Sequence, residues 1–134
     1  MKKLLKFYIN TKGSALIEFA FAVPILITLI LGILEFSSVF FHRHQMLNAA
    51  ERGAREVATQ TLTSAEAVTE AQSMLAGWGA TYTIVIQEPD PANINDRDVE
   101  VSISVPTGDL TITGFFNGVL PATVDVVTVM RQEG

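Results

Sequence analysis

Two carboxylates in this chain stand where a carboxylate is costly. Glu18 is followed by sixteen residues without a charge, 19–34, and Glu35 closes that run. An ionisable group inside a long apolar helix is expensive to bury and is normally matched by a partner. The two glutamates are 17 residues apart, roughly 25 Å along a helix, which puts them near opposite edges of a bilayer's hydrocarbon core. Glu35, just before Phe36, Ser37 and Ser38, reads as an interface marker, where an acid costs little. Glu18 has no such excuse, and a positive charge from a second molecule at the same depth would relieve it.

The other groups capable of chemistry are less demanding. His42 and His44 flank Arg43; two histidines two apart on a helix point to different faces and chelate poorly, so they read as polar groups at the outer membrane–water boundary. Asp90, Asp96, Asp98 and Glu100 cluster without EF-hand spacing, and the prolines Pro89 and Pro91 among them fit an exposed turn. Cysteine is absent, which excludes disulfides and thiolate metal sites. The sequence contains no nucleophile–base pair, phosphate loop or zinc motif. We therefore assign no catalytic residue, no metal ligand and no cofactor, and expect a protein that is not an enzyme. From His42 onward five arginines face twelve acids, within a net charge of −5; nucleic-acid binding, which needs clustered basic residues, is not expected.

The element that positions the glutamates is the stretch 14–41. As a helix it is roughly 40 Å long, against about 30 Å of hydrocarbon, so it spans with length to spare. It supplies most of the imbalance between 49% hydrophobic and 17% charged residues. Lys2, Lys3, Lys6 and Lys12 precede it without an acid, and acids dominate the chain after it. The positive-inside rule then keeps the N-terminus cytoplasmic and exports the C-terminal part. A cleaved secretion signal is the rival reading, but the small-residue site at Ala20-Phe21-Ala22 comes too early, with most of the apolar run still to come. Pro24 removes one helix hydrogen bond and crowds the carbonyl of Ala20, so a kink or local break is expected there. Gly32 could permit close helix approach, without a second small residue four away to make a dimer motif.

Beyond the span the helix is expected to continue to about Gln60. Met46, Leu47, Ala50, Ala54, Val57 and Ala58 form a stripe at helical spacing, and Glu51 and Arg55 are an i,i+4 pair in the favoured order. Thr63 and Glu66 form a capping box opening a second helix to about Ala76, with Val68, Ala71 and Leu75 on its apolar face and Gly77 and Gly79 closing it around Trp78, a core or edge anchor. The period then switches to two. Tyr82, Ile84 and Ile86, then Val99, Val101, Ile103 and Val105, alternate with polar or exposed positions, which predicts an antiparallel hairpin across the loop 88–96. Residues 110–120 are ambiguous between a strand and a short helix, and residues 123–130 read as a last strand. The fold class is α+β: a long N-terminal transmembrane helix continuing into a domain with a short helix and a three- or four-stranded antiparallel sheet.

One run of residues points to a family. Lys12-Gly13-Ser14-Ala15-Leu16-Ile17-Glu18-Phe19 resembles a type IV prepilin cleavage motif behind a short, lysine-rich leader. Pro24, the run Leu31-Gly32-Ile33-Leu34-Glu35-Phe36, the run Ala49-Ala50-Glu51-Arg52-Gly53-Ala54-Arg55, and Val129-Met130-Arg131-Gln132-Glu133 at the C-terminal end are similar to TadE-like pseudopilins of the tight-adherence (Flp) pilus system. The resemblance covers residues 12–58 well and 60–122 only in general pattern.

It implies a cytoplasmic leader over 1–13, an assembly helix over 14–41 and an exported pilin-like domain over 42–134. It further implies cleavage between Gly13 and Ser14 by a prepilin peptidase, with Glu18 then pairing with the N-terminal amine of a neighbouring subunit. That amine would be mostly charged, with an unperturbed pKa near 8. The implied partners are the peptidase, other pilins and pseudopilins, the inner-membrane platform of the pilus and membrane lipid. The expected function is a minor pilin or pseudopilin, single-pass in a bacterial inner membrane, that helps to build or prime an adhesive pilus. The alternative is a single-pass scaffold that is never processed.

Overall fold

The computed structural model describes residues 11–93 and 95–132, with the side chains of Thr11, Lys12 and Trp78 set aside. Lys2, Lys3 and Lys6 of the expected leader, the anchoring role expected of Trp78, and Glu133 lie outside the described residues. Helix α1, Thr11–Ala58, has 48 residues, about 70 Å at 1.5 Å per residue. It runs straight through the expected boundary at residue 41 and through Pro24, which lies inside it without ending it. The Thr28 hydroxyl donates to the Pro24 carbonyl at 2.8 Å.

The end of α1 has a local cause. Gln60 adopts a left-handed conformation, φ 55°. Its N–H donates to the Val57 carbonyl at 2.9 Å, and the N–H of Thr61 donates to the Glu56 carbonyl at 2.9 Å. These two bonds are a Schellman closure, usually built on glycine. Helix α2, Ser64–Leu75, then opens on the capping box expected from the sequence, with the Thr63 N–H held by Glu66 Oε2 at 2.9 Å. A short 3₁₀ turn, Ala76–Trp78, follows it.

The chain next forms a three-stranded antiparallel meander of β1 (Thr83–Gln87), β2 (Asp98–Pro106) and β3 (Thr123–Arg131), in that spatial order. Register puts Ile84 and Val126 on either side of Ile103, and Ile86 beside Val101. Strand period two sends all of these to one face. Val99, Val101, Ile103 and Val105 are fully or almost fully buried there, each contributing on the order of 2 kcal/mol by burial.

What covers that face is the second half of α1, with α2 beside it. The contact stripe is Met46, Ala49, Ala50, Ala54, Val57 and Ala58, against Ala67, Ala71 and Leu75 of α2. Its alanines let backbone approach backbone, as the expected stripe required, with Ala49 added and Leu47 only half-buried. The ion pair on this surface differs from the expected one. Arg52 rather than Arg55 carries it among the described residues, meeting Glu56 at 3.0 Å and Glu70 of α2 at 2.5 Å. Arg52 thereby joins α1 to α2, which the local Glu51–Arg55 spacing could not do.

Residues 110–120 are neither strand nor helix. After a 3₁₀ turn, Thr107–Asp109, the chain makes successive tight turns until β3 begins. These turns lie against α1, and their partners there explain why no regular period appears.

Candidate functional site: the apolar half of α1 and the loop clasped to it

The first half of α1 is bare. Leu16, Ile17, Phe19, Phe21, Ile25 and Leu26 are among its exposed large side chains, and its most apolar window is not covered at all by the rest of the fold. By length and composition this is the one helix, among the described residues, that can cross a membrane. Glu18 is exposed on it, and its one described contact is a weak bond from the Ser14 hydroxyl at 3.4 Å, one turn back. That neutral hydroxyl is not the cation the position calls for, and no salt bridge to Glu18 forms among the described residues.

Gly13 and Ser14 lie on α1, close to where its described part begins. A Cβ placed on Gly13 would meet nothing within 4 Å. The fold itself does not require glycine at that position.

Glu35 departs most from its expectation as an interface marker. It is fully buried, and its carboxylate grips the loop. Oε2 accepts the N–H of Ile112 at 2.9 Å, and Oε1 accepts both the N–H of Thr113 at 2.7 Å and the Thr113 hydroxyl. One turn on, the Ser38 hydroxyl donates to the Leu110 carbonyl at 2.6 Å. Two residues of α1 thus hold three closely spaced loop positions, 110, 112 and 113. Below them Phe116 packs on Phe36, with ring centroids 6.3 Å apart, and a Cβ on Gly32 would come within 3.5 Å of its ring. Gly32 does serve a close approach, but to an aromatic ring of its own chain. Gly114, at φ 70°, makes the turn between the two grips, where a Cβ would also come within 3.1 Å of the Asn117 amide.

His42 is likewise held within the fold. It is buried, with Nδ1 2.8 Å from the Tyr82 hydroxyl, and this contact ties α1 to the segment entering β1. Burial, helped by the Asp109 carboxylate, pushes the Tyr82 phenol above its ordinary value.

The matching comparison coincides with this helix. Residues 13–55 match the model of the TadE-like protein family. No curated protein and no solved structure matches the chain. The TadE-like segment starts at Gly13 and stops three residues before the end of α1. It therefore contains Gly13, Ser14, Glu18, Pro24 and Glu35, and leaves out the sheet, the clasping loop and the C-terminal residues 129–133.

Away from the TadE-like segment, the main polar cleft lies between the α1–α2 turn and the β1–β2 loop. Its polar groups are occupied with one another. The Ser64 hydroxyl donates to Glu88, Asp96 Oδ2 accepts the Asp90 N–H at 3.0 Å, and Asp90 Oδ1 accepts the Ala92 N–H at 2.9 Å. No group of three possible metal ligands comes together among the described residues, and the Asp90 and Asp96 carboxylates accept bonds from the turn that carries them.

Bonds from the Thr63 backbone N–H and hydroxyl hold Glu66 below its ordinary 4.5, and the N–H groups of Asp90 and Asp98 lower Asp96 similarly. For such groups the unfolded chain binds protons first as pH falls, so their stabilisation is present above the unfolded value and lost on descent through the folded one. We expect Glu66→Gln to lower the melting temperature of the detergent-solubilised chain by a few degrees at neutral pH and to flatten its acid limb below pH 4.5. Circular dichroism melts across pH check this; an acid slope equal to the parent's would remove Glu66 as its source.

Proposed function

We propose that this chain is a TadE-like minor pilin or pseudopilin, cut after Gly13 by a prepilin peptidase, that helps to assemble or prime an adhesive tight-adherence pilus. It acts by assembly and not by catalysis. In this reading the N-terminus is cytoplasmic and residues 42–134 form the extracytoplasmic domain of a single-pass protein in a bacterial inner membrane. Its partners are the peptidase, other pilins and pseudopilins, and the membrane platform of the pilus.

The observation that carries the proposal is the coincidence at Gly13. The family match begins there, at the spacing from Glu18 that the prepilin resemblance calls for, and a Cβ at that position would meet nothing within 4 Å, so the described fold leaves it open to an outside partner. Cleavage would leave the new amine of Ser14 one turn from Glu18. In one chain the two lie on the same helix; between two staggered chains the amine of one supplies the cation that the carboxylate of the other lacks.

A permanent, unprocessed scaffold is the competing reading, favoured by the continuity of α1 back to Thr11. Mass spectrometry of the protein recovered from its native membrane separates the two. We expect an N-terminus at Ser14, unblocked or methylated; an intact leader overturns the pilin assignment.

A further inference from the structure

We propose that residues 110–122 dip into the bilayer beside α1 and bind the acyl chains of the leaflet on the domain's side. The loop carries no charge between Asp109 and Asp125. Its Ile112, Phe115 and Val119 are 65%, 62% and 77% exposed, an apolar cluster that water would disfavour. Only Leu110 faces the protein core.

Position along the span decides what meets this cluster. About 20 helical residues cross the hydrocarbon. With Glu18 at the near edge, the far edge falls close to Ser38. Gly32, which touches Phe116, then lies about 9 Å inside that edge. The loop is clasped to α1 at this depth through Glu35, Ser38 and Phe36, so whatever solvates α1 there also solvates the loop. That solvent is lipid.

The loop's backbone supplies an independent argument. Irregular backbone survives at membrane depth only if its polar groups find partners within the protein. Here seven of the loop's twelve N–H groups have such partners: Leu110 on the Thr107 carbonyl at 3.0 Å, Ile112 and Thr113 on Glu35, Phe115 on the Thr113 hydroxyl at 3.3 Å, Asn117 on the Gly114 carbonyl at 3.2 Å, and Val119 and Leu120 on the Phe116 carbonyl at 2.9 and 3.1 Å. Glu35 and the loop solve each other's problem: the carboxylate receives donors, and the donors receive an acceptor, in a place where neither has water.

The proposal rests on α1 spanning the membrane and not on cleavage after Gly13. The chain has no cysteine, so single-cysteine variants can be spin-labelled directly. Val119→Cys and Phe115→Cys report on the loop, Ile33→Cys on the span and Gln72→Cys on an exposed position of α2. The full chain is placed in phosphatidylcholine–phosphatidylglycerol vesicles at low protein density, and accessibility to oxygen and to a water-soluble nickel chelate is measured. We expect V119C and F115C to track I33C, with nickel collision several-fold below Q72C and oxygen collision above it. If I33C reads lipid and the loop labels read water, loop insertion is overturned while the span stands. If I33C reads water, span and loop fall together. Loop labels shielded from both reagents, and released by diluting the protein with lipid, would mean that a second copy covers the loop, and would overturn lipid as its occupant.

Discussion

In Glu35→Ala, the amides of Ile112 and Thr113 exchange with solvent about 100-fold faster than in the parent, because a hydrogen bond to a buried charged acceptor is worth roughly 1.5–3 kcal/mol. The substitution strips the only acceptor described for these two N–H groups and for the Thr113 hydroxyl. Alanine offers nothing in its place, and residues 112 and 113 lose their hold on α1, while Ser38 still holds Leu110 and Phe36 still packs on Phe116. The effect is local. β2 and β3 remain paired over nine residues each, and the Met46–Ala58 stripe is more than two turns away along α1. Hydrogen-exchange mass spectrometry of the full chain therefore gives fast exchange in the 110–117 peptide with β2 and β3 protected as before. Glu35→Gln keeps one acceptor oxygen and falls between the two. Unchanged exchange at 112 and 113 in E35A would mean that Glu35 does not hold the loop. Fast exchange everywhere would mean that the clasp supports the whole domain.

The burial of Glu35 also marks the limit of what the sequence made legible. Elements with a local signature were readable: the alternation of Val99, Val101, Ile103 and Val105, the Thr63–Glu66 box, and an alanine stripe that becomes the helix–sheet contact. The partners of Glu35 lie 77 and 78 positions away in the chain, and a carboxylate shows no local sign of which distant amides it will meet. The same holds for His42 and Tyr82, 40 positions apart. Residues 110–120 resisted a period because their apolar side chains turn toward α1 and the outside instead of keeping to one face of a strand or helix. Gln60 ended α1 without a glycine to announce it, and one acid that meets Arg52 comes from α2, 18 positions on, where no local spacing shows it.

Gly13 and Glu18 were singled out by spacing and by resemblance, and both fall within the family match. The fold then divides α1 functionally. Residues 35–58 are held by their own domain, through the loop, Tyr82 and the sheet. Residues 14–34 are left almost entirely to partners outside the chain.

Glu18→Ala tests what that bare end is for. The variant is expected to accumulate in the membrane at normal levels, because Glu18 makes only a long contact with Ser14 and holds nothing else in place. Its removal takes an acid out of an apolar segment and eases membrane insertion. It should still be cut after Gly13, so the two proposed roles separate. What it loses, in the proposed reading, is the carboxylate that would meet the Ser14 amine of a processed neighbour, a group with an unperturbed pKa near 8. At hydrocarbon depth an unmatched amine opposes docking as strongly as an unmatched carboxylate. Pilus assembly in E18A therefore falls to the level of a strain lacking the protein, and Glu18→Gln, which keeps the shape without the charge, fails with it. Counting pili, and comparing the mature protein in sheared filaments with that in membranes, gives the readout. Normal piliation in E18A would show that Glu18 pairs with no subunit and would leave its place in the span to be explained by the Ser14 contact.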